Sequence, residues 1–258
     1  MTGAIIRKKQ FWGEKTLKTY IVEDGTTEIG DWAFAGCAEL ARISVPLSVE
    51  RIGREAFSGC EKLKEVELRG DCFDEKKSRA CAEMMAFAVR WFPEAAELIV
   101  ARRAGMESWL EAWDQAGLKF LERPCEEGFR PFLAGGEEDY EDDEKALKNH
   151  CHERLLTKAN LILTRLMAAE QGIFLVSEKK RAELHALLRG NDAAWEVLYE
   201  PLSEPRLVVR IFEDAGLLTA ALLKNVIPQI PAENVELRAL LMQKVSGDAE
   251  VGINELWL

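Results

Sequence analysis

The 258-residue sequence predicts an α/β fold: a repeat solenoid, with a parallel strand ladder plus short helices, followed by an all-α helical domain. Three observations carry this prediction. Segments 29–45 and 52–68 are near-copies of one another at an offset of 23 residues. The end of each copy alternates apolar and polar residues, as a half-buried strand does. Beyond residue 145 the apolar residues recur instead at helical spacing.

The repeat comes first because internal self-similarity constrains the whole architecture. Ile29 matches Ile52, Gly30 matches Gly53, and Ala33-Phe34 matches Ala56-Phe57. Gly36-Cys37 matches Gly59-Cys60, Leu40 matches Leu63, Ile43 matches Val66, and Val45 matches Leu68. Ile43-Ser44-Val45 and Val66-Glu67-Leu68 read as short strands. Runs 32–35 and 55–58 are expected to form a short helical turn that buries its Phe, with Gly36 and Gly59 reversing the chain after it. One strand plus one turn cannot bury its apolar face alone, so neighbouring units must stack. Leu17, Tyr20 and Val22 lie 23 residues before Leu40, Ile43 and Val45 and mark a partial first unit. After Leu68 the period breaks. Residues 74–92 read as a helix of about five turns, stopped by Pro93. Leu98-Ile99-Val100 reads as a further strand, 106–115 as a helix ending at Gly117, and Leu118-Lys119-Phe120 as a fifth strand.

The pattern IG-x-x-AF-x-GC-x-x-L-x-x-I-x-V-P, at 29–46 and again without the proline at 52–68, resembles the BspA-type leucine-rich repeat. The likeness is specific over residues 17–69 and weaker out to about 122. It implies a leucine-rich repeat solenoid with its parallel strands on one face. Members are often surface or secreted interaction proteins, so the likeness also admits surface adhesion or carbohydrate binding.

Residues 1–122 are therefore read as the repeat domain and 123–144 as an acidic linker. The latter holds two prolines, Gly135-Gly136 and a run, 137–144, in which seven of eight residues are acidic. Residues 145–258 form the helical domain. Leu155, Leu156, Ala159, Ile162, Leu163 and Leu166 fall on one stripe. Ser177 is placed to cap a helix ending at Gly190, and Asn191 or Asp192 the next, over Ala194–Leu198. Leu207, Val208, Ile211 and Phe212 make another helix that stops at Gly216. Thr219 can cap 220–230, where Pro228 should shorten or kink the helix, and the last helix should run from Glu233 or Asn234 through Val245 to Gly247. This tail, around Asn234–Leu241, resembles the ankyrin-like helical pairs appended to leucine-rich repeats in some bacterial proteins.

Chemistry is sparse. A net charge of −11, from 45 acidic and 34 basic residues, disfavours binding to nucleic acid or anionic membrane, since both need clustered cations. No apolar run approaches the ~20 residues of a membrane span, and MTGAIIRKKQ has no signal-peptide core, so a cytoplasmic protein is expected. Cys37, Cys60, Cys72, Cys81, Cys125 and Cys151 form no CxxC pair and are expected to be reduced, Cys37 and Cys60 within the core. His150-Cys151-His152 reads as the start of a surface helix, because neighbouring helical residues point ~100° apart. The tryptophans of the repeat and the following helices are expected in the core, Trp12 and Trp257 as terminal anchors. No hydrolase, Walker, dinucleotide or HExxH motif occurs, so no catalytic residue, cofactor or metal is expected.

The function expected is a non-enzymatic scaffold that binds an unknown protein or peptide through the strand face. Residues facing outward from that face would be Thr19, Ile21, Arg42, Ser44, Glu65, Glu67, Glu97 and Ile99. Adhesion or carbohydrate binding is the alternative, followed by a cryptic hydrolase, which a deep polar pocket would support.

Overall fold

The computed structural model describes residues 3–70, 75–93, 95–129, 140–200 and 202–254. The chain divides into two compact units, Met1–Arg123 and Pro124–Leu258. Among the described residues the first contains six short strands: β1 (Ala4–Ile6), β2 (Thr19–Ile21), β3 (Thr26–Ile29), β4 (Arg42–Pro46), β5 (Arg51–Ile52) and β6 (Glu65–Arg69). They form two parallel sheets, ordered β1-β3-β5 and β2-β4-β6.

The second sheet pairs as the repeat demands. Thr19, Arg42 and Glu65 share one row, Tyr20, Ile43 and Val66 the next, and Ile21, Ser44 and Glu67 a third. Val45 faces Leu68 on adjacent strands, and both are buried. Tyr20 is only half-buried, because β2 is the last strand on its side of the sheet. The other sheet is a ladder the sequence reading did not anticipate. Ile6, Ile29 and Ile52 pair across it with the same 23-residue step. The first unit therefore begins at Ile6 rather than Leu17, and Phe11 and Gly13 stand in register with Phe34 and Gly36.

The expected helical turns are absent. Residues 32–35 and 55–58 are turns in which Trp32 and Glu55 adopt left-handed φ angles of 54° and 51°, and Lys9 repeats this at 58°. The reason lies in the backbone hydrogen bonds. Trp32, Phe34 and Gly36 donate their N–H groups to the carbonyls of Arg54, Ala56 and Ser58 in the following unit. Lys9, Phe11 and Gly13 donate likewise to Asp31, Ala33 and Ala35. Amides committed to the next unit cannot close i→i−4 helical bonds. The turns thus form a third column of inter-unit bonds, and Gly36 and Gly59 (φ 77° and 71°) supply the left-handed reversal after each. Gly53 packs so closely that an added Cβ would lie 2.3 Å from the Asp31 nitrogen.

Inside the stack, Phe11, Phe34 and Phe57 lie ring on ring, 5.0 and 5.3 Å between centroids. Cys37 and Cys60, also buried, donate their thiol hydrogens to the carbonyls of Phe11 and Phe34, at 3.0 and 3.2 Å. Leu40 and Leu63 complete the repeated interior.

Three helices follow: α1 (Glu75–Trp91), α2 (Ala95–Ala104) and α3 (Met106–Glu122). Helix α1 packs on β6 and covers that side of the stack. The two further strands expected here are both helical. Leu98-Ile99-Val100 lies within α2, where Ala95, Leu98, Ile99 and Arg102 form one buried stripe. Its flanking Ala, Glu and Arg residues are strong helix formers, and three apolar residues in a row do not outweigh them. Leu118-Lys119-Phe120 lies in α3, which runs through Gly117 because Trp109, Trp113, Ala116 and Phe120 keep a continuous buried face. The Trp113 indole donates to the Met84 carbonyl at 3.1 Å, tying α3 to α1.

The second unit holds α4 (Tyr140–Glu170), α5 (Glu178–Arg189), α6 (Pro205–Asp214), α7 (Ala220–Val226) and α8 (Val235–Asn254). Helix α4 begins inside the expected acidic linker and takes up its residues 140–144; the remainder of the acidic run, 137–139, lies outside the described residues. His150, Cys151 and His152 consequently sit within α4, with His152 Nε2 2.8 Å from the Glu196 carboxylate. Ser177 and Thr219 cap α5 and α7, accepting from the Lys180 and Leu222 amides at 3.3 and 3.2 Å. Asn191 Oδ1 accepts from the Ala193 amide, and a short 3-10 turn, Ala194–Tyr199, replaces the expected helix. Pro228 ends α7 in a 3-10 turn, while α8 continues through Gly247. Among the described residues no helix is long and apolar enough to cross a membrane.

Candidate binding surface

Alternation along β2, β4 and β6 fixes which side chains leave the core. Ile43, Val45, Val66 and Leu68 are buried, so the residues between them point the other way. Thr19, Arg42 and Glu65 make one outer row, and Ile21, Ser44 and Glu67 make the other. Five of the eight expected residues thus lie exposed or half-exposed on one surface: Thr19, Ile21, Arg42, Glu65 and Glu67. Ile21 is 72% exposed, a large apolar side chain that no neighbour covers.

The other three depart from expectation. Ser44 is only 7% exposed, because the Arg69 guanidinium lies across it and donates to both its hydroxyl and its carbonyl at 3.3 Å. Glu97 and Ile99 belong to helix α2, with Ile99 fully buried, so neither joins the strand face.

Arg42 does not project freely either. It lies 3.4 Å from the Glu65 carboxylate and 3.1 Å from Glu67, bridging two strands diagonally. Arg69 is the residue that sequence reasoning missed. Besides Ser44 it reaches the Asp24 carboxylate at 2.6 Å and the Val22 carbonyl. The contact spans 45 to 47 residues of sequence, so no local pattern announces it. Beside this surface, burial pushes the Tyr20 phenol above its ordinary range, and Glu23 adds to the shift.

Residues 4–84 match the family described as BspA type Leucine rich repeat region (6 copies). The match includes all six strands and runs into α1. It therefore covers the leucine-rich repeats together with the start of the helix that packs against their last strand. The helices beyond residue 84 fall outside it. No curated protein and no solved structure matches the chain. A leucine-rich repeat region of this type carries a protein-interaction or adhesion role in general terms.

Proposed function

We propose that residues 4–70 form a solenoid and that its outer strand face binds a protein or peptide, with no chemistry of its own. The observation that carries this reading is the composition of that face. An uncovered Ile21 stands beside the Arg42–Glu65–Glu67 group, in rows held by parallel strands about 4.8 Å apart. Exposed ion pairs of this kind contribute only about 0–1 kcal/mol, so a partner can re-pair them at little cost. Rigid strands lose little ordering entropy on binding. We read residues 1–122 as the recognition domain. Helices α4 to α8, the first of which starts within the acidic run at Tyr140, form the second domain, in which α7 and α8 would make an ankyrin-like pair. The five described cysteines are free thiols, which suits a reducing, cytoplasmic setting.

The test compares two variants in affinity capture from the native host. One reverses Arg42, Glu65 and Glu67; the other replaces 137–144 with a neutral Gly/Ser segment of equal length. The face variant should weaken capture of a specific partner by about tenfold or more, and the segment variant should change it little. The opposite pattern would move the binding site to the acidic run and overturn the assignment.

A further inference from the structure

The cations of the first unit are not treated alike. Arg42, Arg51, Lys62, Arg69 and Arg103 each face a carboxylate. Along the turn column the pattern changes. Lys8 lies 5.0 Å from the centre of the Trp32 ring, and Arg54 lies 5.8 Å from it. Lys9 sits between two indoles, 5.8 Å from Trp32 and 4.4 Å from Trp12. Arg54 then lines a cleft of about 380 Å³ together with Arg90, Trp91 and Phe92. It opens between the third turn and the end of α1, and Arg90 stands 5.6 Å from the Trp91 ring. Among the described residues none of Lys8, Lys9, Arg54 and Arg90 has a carboxylate at ion-pair distance.

Two carboxylates that flank these cations, Asp31 and Glu55, are already engaged. Asp31 accepts from the Arg54 backbone amide at 2.9 Å, and Glu55 accepts from the Trp32 indole at 3.0 Å. Among the described residues Lys8, Lys9, Arg54 and Arg90 thus keep no carboxylate of their own at ion-pair distance, in a chain whose net charge is −11, and Glu61 acts on Arg90 only from further away. Burial pushes the Arg90 guanidinium below its ordinary range, with Cys60 and Glu61 pulling partly the other way. A half-desolvated cation of this kind gains more from a counter-anion than a fully hydrated one does.

We infer that this strip binds a short acidic peptide in extended form, its carboxylates over Lys8, Lys9, Arg54 and Arg90 and one apolar side chain in the cleft beside Trp91. Dimensions and charge both select this occupant. The turns rise by about 4.8 Å per unit, so the strip spans roughly 10–15 Å, the length of about three to five extended residues. Cations stacked on indoles present a flat apolar floor between the charges, which suits a peptide backbone. A nucleic acid strand needs a longer run of cations to neutralise its phosphates, and beyond these four the acidic surroundings would repel it. This surface is separate from the strand face, so the failure of one assignment leaves the other standing.

The experiment titrates the full chain at low salt with an acetylated Glu-Glu-Phe-Glu-Glu amide, followed by calorimetry and tryptophan fluorescence. The same peptide with glutamines, and an oligothymidylate, are run in parallel. The acidic peptide should bind at least about tenfold more tightly than its glutamine counterpart and should weaken as salt rises. The double charge reversal K8E/R54E should weaken it by about tenfold or more. K8Q/R90Q, which adds no new charge, should weaken it in the same direction, whether or not the reversal disturbs folding. Arg206→Gln, on α6 of the second unit, should bind as the parent does. Equal binding of the two peptides, unchanged binding by both strip variants, or tighter binding of the oligothymidylate would each overturn the inference.

Discussion

Phe57 stacks on Phe34 with ring planes 5° apart and is almost fully buried. Phe57→Ala should therefore cost about 3–5 kcal/mol by leaving a cavity that neighbouring units cannot fill. A loss below ~1 kcal/mol in urea unfolding would contradict its place in the core. Three residues further on, burial pushes the Cys60 thiol up to about 12 from an ordinary value of 9.0. The protonated thiol is thus the form that the fold favours. As pH rises past 9 the unfolded chain releases this proton while the folded chain keeps it, so the stabilisation is complete below 9 and fades toward 12. Urea midpoints should consequently fall between pH 9 and 11, and Cys60→Ala should flatten that fall relative to the parent. An equal slope in both proteins would separate Cys60 from the alkaline loss. At neutral pH, Cys37 and Cys60 should resist a water-soluble thiol reagent, while Cys125 and Cys151, both half-exposed, should label first. Cys72 lies outside the described residues.

At the scale of elements, β4 and β6 were legible in the sequence because strand alternation and the 23-residue copy agree at the same positions. The ladder of β1, β3 and β5 was not, because two to four residues show too little alternation to mark a strand. The turns were misread for a related reason: Trp-Ala-Phe-Ala has helical propensity, but bonding to the next unit overrides it. Helix α2 deceived in the opposite sense, and its apolar triplet carries the expected error for Glu97 and Ile99. Two substitutions separate strand from helix there. Ile99→Ala should cost about 2–4 kcal/mol, whereas Val100→Ala, at a position 47% exposed, should cost less than about 1 kcal/mol. The expected outer face placed Ile99 outward, which would make its replacement nearly neutral in thermal unfolding. The outward rows of Thr19, Ile21, Arg42, Glu65 and Glu67 could be read from alternation alone. The covering of Ser44 and the cation–indole strip could not, since both arise from residues of different units meeting in space.

For the whole molecule, a repeat stack gains stability chiefly from contacts between neighbouring units. In the first unit of the chain, α1 covers β6 on one side, whereas β2 and β1 are the last strands on the other. Hydrogen exchange should therefore be fastest in β1 and β2 and slowest in β4 and β6. Uniform protection across the three turns would mean that the stack opens all at once. Arg69 modifies this scheme. A chain whose coils touch only their neighbours behaves like a zipper, able to open one tooth at a time from a free end. Arg69 in the third coil holds Ser44 in the second and both Val22 and Asp24 in the first. The first coil cannot peel away without releasing a contact made two coils further on. One guanidinium thus turns a zipper into a clasp, and replacing it with glutamine should return the chain to opening tooth by tooth.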